Sequence, residues 1–430
     1  MQHYDSIEDA AGHGDLEYIQ SVLAMDKILY LTEGAMDMAA EYGHLHVVQW
    51  LHANTPEGCT EAAMDRAATN GHIHVVTWLH EHRQEGCTTN AMDGAASRGN
   101  LEIVKWLHTN RSEGASVAAM DGAASHGHLD VVQWLHQFRT DGCTVKAMNH
   151  AAAHGFLHVV EWLHEHRLER CSEEAIKGAI KYGFLQVVQF LIAHDYYDAT
   201  HCHLYLHYAA KCGHLDIVKH FVSFQPTPFT SDTQDSIVSA LDVAARYGHL
   251  KVVWFLFQCV GHASPSAIDH AAGNGFLDIV SFLHEHGQTC TTRALDKASE
   301  HGCTEIVAFL LHHRQEGCTT HAMDNAAANG HFDVLRLLSA SSATCTGQAL
   351  TAAAASGHGT IVNFLLNKYP QANWPIQDAI NSAKLNRHRI IVDALEMELV
   401  SSGMTKQLNV HDNAAPSSVV IAAGRGVRSA

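Results

Sequence analysis

The stretch CTTNAMDGAASRGNLEIVKWLH, residues Cys87 to His108, decides the fold, because the chain writes it again and again. Ala115 to His136 reads ASVAAMDGAASHGHLDVVQWLH, and Cys143 to His164 reads CTVKAMNHAAAHGFLHVVEWLH. Self-similarity at a fixed period marks a repeat architecture. A glycine punctuates each copy, from Gly14 and Gly43 to Gly330 and Gly357, with Asn386 placed equivalently in a last degenerate copy. That makes fourteen units. Most steps are 27 to 29 residues; Gly183 to Gly213 takes 30 and Gly213 to Gly248 takes 35.

Each unit predicts two helices. Thr88 precedes the first, where its hydroxyl can accept an otherwise unpaired amide. Ala91, Met92, Ala95 and Ala96 fall on one helical face, and the small alanines admit a close neighbour. The glycine ends this helix in a left-handed conformation. Leu101, Ile103, Val104, Trp106 and Leu107 make the apolar stripe of a second helix. A polar turn such as Arg83-Gln84-Glu85-Gly86 leads to the next unit. Neither helix buries its stripe alone, but stacked copies do. The position seven after the glycine is aromatic in ten of fourteen units, Trp50, Trp78, Trp106, Trp134 and Trp162 among them. Its regularity predicts an inter-repeat core ladder, with Trp106→Ala costing about 3–5 kcal/mol.

Composition limits the functions. Hydrophobic residues are 47%, and Lys+Arg 27 against Asp+Glu 45 gives a net charge of −18. That field repels phosphate, so neither nucleic acid nor an anionic membrane is an expected partner. No apolar run approaches a membrane span. The acidic first twenty residues are unlike a signal peptide, so a cytoplasmic or nuclear protein is expected. The composition also holds 37 His and, with a pI near 6.0, predicts lowest solubility near pH 6.

The helix pair, the small-residue first helix and the Ala-Ala-x-x-Gly-His-Leu-x-Val-Val junction resemble the ankyrin repeat over residues 1 to about 400. The resemblance implies an all-α solenoid of about fourteen helix-turn-helix repeats. The copies are shorter than the family's usual length, so its β-hairpin fingers are expected to be shortened or missing. Asp37, Asp65, Asp93, Asp121, Asp242, Asp269, Asp296 and Asp324 stand where the family has His; His207 alone keeps the family form. A carboxylate only accepts hydrogen bonds, so the contact that His makes must be rewired.

The chemical constellations are weak. Cys59, Cys87, Cys143, Cys171, Cys290, Cys318 and Cys345 share one turn position. Helix spacing of about 8–10 Å is too wide for a disulfide or a zinc–sulfur pair between copies. The 11 cysteines are expected to be reduced. His80–Arg83 and His164–Arg167 repeat His-Glu-His-Arg, but their His spacing is not that of a metalloprotease helix. The densest cluster, His201-Cys202-His203 with His194 and His207, leaves a metal-site enzyme around 194–212 as the least favoured alternative. There is no Walker loop, nucleophile elbow or dinucleotide fingerprint. No catalytic, cofactor-binding or metal residue is expected, and the protein is expected not to be an enzyme.

In the family, partners lie on the concave face made by first helices and turn tips. The two residues before each glycine vary most among the copies. Tyr42, Arg98, His126, His154, Lys181, Tyr182, Lys211, Arg246, Tyr247, Asn274, His301 and Asn329 are therefore the candidate protein-binding residues. Tyr and Arg dominate interface energy, and Lys181, Tyr182, Lys211, Arg246 and Tyr247 form a basic-aromatic run suited to an acidic peptide or loop. Residues 223–236, an insertion in the 35-residue step, add Phe224 and Phe229 as candidates in a loop. Residues 401–430 lack any amphipathic period and are expected to be a disordered tail. The expected function is protein–protein interaction by a monomer, without cofactor. An adaptor acting through the tail or the insertion is the alternative.

Overall fold

A computed structural model describes residues 4–24, 32–197, 201–224, 230–341 and 343–401. Among these residues there are 28 α-helices and no strand. The helices pair into the fourteen expected units, with a short turn where a β-hairpin finger would project. The chain divides into two compact parts, Met1–Cys202 and His203–Ala430.

The pair Thr89–Ser97 and Leu101–Asn110 shows the plan of the first part. Thr88 caps the first helix, its side chain accepting from the Asn90 amide. Ala91, Met92, Ala95, Ala96, Ile103, Val104 and Leu107 are each at most 2% exposed. First helices pack most closely on their neighbours, as Thr89–Ser97 does against Glu61–Thr69 and Val117–Ser125. The alanines allow this approach because nothing projects beyond Cβ. The second part repeats the plan, with Thr292–Glu300 between Pro265–Gly273 and Thr320–Ala328.

The aromatic position is not core. Trp50, Trp78, Trp106, Trp134 and Trp162 are only half-buried, while the leucine that follows each is buried. Each ring from Trp78 to Trp162 instead meets a histidine of the preceding unit edge-on. The His52–Trp78, His80–Trp106, His108–Trp134 and His136–Trp162 centroids are each 5.2 Å apart. The ladder exists, but on the outer surface of the second helices, because the Val-Val-x-x-Leu residues already fill the space inside.

The aspartates answer the question of the missing His. Asp65 accepts from the Thr88 amide at 2.8 Å and from the Thr88 hydroxyl at 2.6 Å. The same hydroxyl accepts from the Asn90 amide at 3.1 Å. The carboxylate thus fixes the hydroxyl proton and leaves a lone pair for the cap. Asp37 with Thr60, Asp93 with Ser116 and Asp121 with Thr144 repeat this clamp. So do Asp269 with Thr291, Asp296 with Thr319 and Asp324 with Thr346 in the second part. Asn149 performs a variant: Ser172 N donates to its Oδ1 at 2.9 Å, and its Nδ2 donates to Ser172 Oγ at 2.8 Å.

Histidine returns one turn later. His44 Nε2 donates to the Gly12 carbonyl at 3.0 Å, His249 to that of Lys211 at 2.8 Å and His331 to that of Glu300 at 3.1 Å. These rings lie across the turn glycine of the preceding unit. Gly99 has φ +77, and a Cβ there would stand 2.6 Å from the His128 ring. Glycine is required twice, by backbone conformation and by the neighbour's ring. In the last unit this left-handed position is Arg387, at φ 63, not Asn386, whose φ is −94; His388 lies across Gly357, which fixes the register.

The short turns are built from Arg and Glu. Arg83 pairs with Glu85 two residues on, while its Nη1 donates to His52 Nδ1 of the preceding unit at 3.1 Å. Arg111 with His80, Arg167 with His136 and Arg314 with His284 repeat the contact at 3.2 to 3.4 Å. Burial pushes the Glu85 carboxyl up, but the hydrogen bonds from Arg83 and the backbone outweigh it and leave Glu85 below the usual carboxylate range.

The insertion is partly helix. The first helix of its unit, Ser231–Arg246, has 16 residues where its neighbours have 11 and 9, so residues 231–236 extend a helix rather than a loop. Thr230 caps it. Phe229 and the expected tail beyond Ser401 lie outside the described residues; Ser401 itself ends the helix Arg389–Ser401.

Candidate functional site

The variable pairs lie at the ends of the first helices. Tyr42, Arg98, His126, His154, Tyr247, Asn274, His301 and Asn329 are all helix C-caps, held in place by the glycine turn that follows. All eight are exposed. Their backbone is fixed by the repeat, while their side chains meet no packing demand, which is why they differ from copy to copy.

In the first part, Tyr42 is 54% exposed and Tyr182 55%. Lys181 Nζ lies 4.9 Å from the centre of the Tyr182 ring. His126 is tethered by its Nδ1 to the Gly122 carbonyl at 2.9 Å. In the second part, Lys211 Nζ lies 5.3 Å from the Tyr247 ring, which is 44% exposed. The basic-aromatic run is therefore two cation–π pairs, one in each part. Several candidates are committed to the scaffold. Asn329 Nδ2 donates to the Glu300 carbonyl of the neighbouring unit at 2.9 Å, and Asn274 Nδ2 to His270 of its own helix at 2.9 Å. His301 Nδ1 donates to the Lys297 carbonyl at 3.1 Å. Phe224 is 54% exposed at the end of Leu215–Ser223.

Three further basic side chains were not singled out by the variable pairs. Arg293, Lys297 and His270 line an open groove of about 480 Å³ with Arg246, Gly273, Asn274 and His301. They sit one and two turns before the caps, so the signal that would have found them was helical periodicity run backwards from the glycine. A second cavity, about 420 Å³, opens at Arg314–Cys318. There no arginine side chain covers Gly317, whereas Arg111 covers Gly86.

The cysteine and histidine clusters are dispersed. All eleven cysteines are free thiols, and burial pushes Cys59, Cys87, Cys143, Cys171, Cys290 and Cys318 up to about 11. Thiols held that high carry little thiolate at neutral pH and make poor nucleophiles. His194 turns onto Phe190 of its own helix, His201 lies 3.8 Å from Glu173, and His207 Nε2 bonds Ser239 Oγ at 2.7 Å. Among the described residues no three His, Cys, Asp or Glu side chains are grouped to hold a metal ion, and no helix is long and apolar enough to cross a membrane.

Comparison with known proteins places the repeat. Among solved structures, the pentatricopeptide repeat protein PPR10 in complex with an 18-nt psaJ RNA element has 9% identity and a TM-score of 0.41, covering 92% of this chain and 74% of that one. PPR10 from maize has 12% identity and a TM-score of 0.28, covering 90% and 71%. At these scores the likeness carries no functional argument. No curated protein gives a significant match. A family profile described as ankyrin repeats (3 copies) matches residues 36–121 and 179–269, and one described as ankyrin repeats (many copies) matches 118–164 and 295–338. These matches span more than half of the sequence and fall on the same helix pairs, glycine turns and alanine faces described above: the chain belongs to the ankyrin repeat family.

Proposed function

We propose that this ankyrin-repeat chain is a non-enzymatic protein-binding module that presents its first-helix caps to another protein. One observation carries the reading. Copy-to-copy variation gathers at exposed first-helix ends such as Tyr42, Arg98 and Tyr182, while the buried residues beneath them scarcely change. A scaffold that fixes each helix end through the glycine turn that follows it loses little ordering entropy on binding. The net charge of −18 favours a protein partner over nucleic acid or an anionic membrane.

The adaptor reading has one observation of its own. Phe224 is 54% exposed beside the insertion, a second apolar contact point away from the caps. The test is site-specific photo-crosslinking in the native cell from positions 42, 182 and 247, against the exposed second-helix positions 105 and 133. The reading requires a partner captured from the caps alone, whose purified form loses affinity for the Tyr42→Ala/Tyr182→Ala/Tyr247→Ala variant. Equal capture from both faces refutes it. Capture from position 224 alone favours the adaptor.

A further inference from the structure

The second part of the chain carries a groove that differs in kind from the rest of the first-helix surface. Its walls are the first helices Ser231–Arg246, Pro265–Gly273 and Thr292–Glu300, and its volume is about 480 Å³. Gly273 stands where neighbouring units have Arg246 and Glu300, and the Lys297 stem packs over it, 2.9 Å from where a Cβ would stand. Three permanent cations, Arg246, Arg293 and Lys297, border it, together with His270 and His301.

The cations are available. Among the described residues, the exposed Arg246 and Arg293 side chains make no ion pair or hydrogen bond. Lys297 alone is engaged, by Glu300 at 2.7 Å. The one carboxylate in the lining, Asp269, has both oxygens taken by Thr291. His270 Nδ1 is buried and has no hydrogen-bond partner. The first part has no paired guanidiniums at these places: for Arg293 and Lys297 it carries Ala62 and Arg66, Asn90 and Gly94, Ala118 and Gly122, or Lys146 and His150. Arg66 is already neutralised by Glu41 at 2.8 Å. Two free guanidiniums on a chain of net charge −18 are a local exception that scaffold stability does not require. Guanidinium pairs favour planar, bidentate carboxylates.

We infer that the groove between Arg246 and Arg293 binds an acidic segment of a partner protein, with the two arginines each taking a carboxylate side chain. The inference rests on the protein-binding reading above and assigns it a place and a chemistry.

The test uses the full chain and a short fluorescein-labelled peptide alternating Glu and Ser, followed by fluorescence polarisation. Its Gln/Ser analogue and inorganic phosphate serve as comparators. The expected result is binding that weakens with salt, is at least about tenfold weaker for the Gln peptide, and falls by at least about tenfold in Arg246→Ala/Arg293→Ala. Arg66→Ala should bind as the parent does. The charge-reversed Arg246→Glu/Arg293→Glu chain, checked for helicity by circular dichroism, should prefer a Lys/Ser peptide. Equal binding of the Glu and Gln peptides overturns the inference, as do an unaffected double alanine variant and displacement by phosphate at concentrations matching the peptide. If cap crosslinking still captures a partner in that case, the groove assignment falls and the protein-binding reading stands.

Discussion

Removing the Asp65 carboxylate tests the inter-unit clamp directly. In Asp65→Ala, Thr88 loses acceptors for its amide and its hydroxyl, at 2.8 and 2.6 Å. Hydrogen bonds to a charged acceptor net about 1.5–3 kcal/mol each, and a pair sharing one carboxylate should give about 3 kcal/mol in all. Asp65→Asn should cost only about 1 kcal/mol, because an amide can accept from Thr88 N and donate to its hydroxyl. Asn149 already does this with Ser172, and the cap bond there merely lengthens from 3.1 to 3.3 Å. Thr88→Val, losing the clamp hydroxyl and the cap, should cost about 2 kcal/mol. The double variant Asp65→Ala/Thr88→Val should be less damaging than the sum by about 1 kcal/mol or more, because one bond is shared. Urea unfolding followed by tryptophan fluorescence suits the question, since five of the seven tryptophans lie in Met1–Cys202. Repeat arrays need not unfold in one step, so hydrogen exchange at the Thr88 and Asn90 amides supplies the local measure. Equal effects of Asp65→Ala and Asp65→Asn, or additive single variants, would refute the clamp.

Four other outcomes follow from the same contacts. Gly99→Ala should cost about 2 kcal/mol or more, because it adds a ring clash to a left-handed backbone, whereas Gly317→Ala, at φ +70 with nothing within 4 Å, should cost about 1 kcal/mol; denaturant midpoints decide, and equal costs would remove the ring contact from the explanation. Leu107→Ala should cost about 3 kcal/mol and half-buried Trp106→Ala only about 1–2 kcal/mol, in an order the core-ladder expectation reverses. The turn thiols Cys59, Cys87, Cys143 and Cys290, raised to about 11 by burial, should resist a disulfide reagent at pH 8 in the folded chain and react in urea; rapid native labelling at any of them would contradict that burial. Glu85, Glu113 and Glu169 are each raised by burial but lowered further by Arg partners and backbone amides, to below their usual 4.5, so their contribution is complete above that value and lost as pH falls through the lowered range. Urea midpoints measured from pH 5 to pH 3 should therefore fall less steeply for Glu85→Gln/Glu113→Gln/Glu169→Gln than for the parent.

Much of the fold was legible in the sequence because its signals are local. The period, the cap at Thr88, the turn at Gly99 and the alanine face each follow from a few adjacent residues, and fourteen copies leave little room for error. The exposed caps were legible for the same reason: where packing dictates nothing, the copies diverge. Periodicity could not give the depth of each apolar position. Trp106 and Leu107 are neighbours on one stripe, yet only the packing of Ile103, Val104 and the adjacent helices decides that the leucine is inside and the tryptophan half out. Nor could it show that Asp65 serves Thr88 of the next copy, that His128 lies across Gly99, or that Arg387 rather than Asn386 takes the final left-handed turn. Local chemistry along the chain suffices for a two-helix brick and its repetition, because helix propensity, capping and turn chemistry act within a few residues. Tertiary structure alone decided how bricks lock and where Arg246 and Arg293 come to border one groove, because those contacts join residues about one repeat or more apart, whose separation in space depends on how the helices stack.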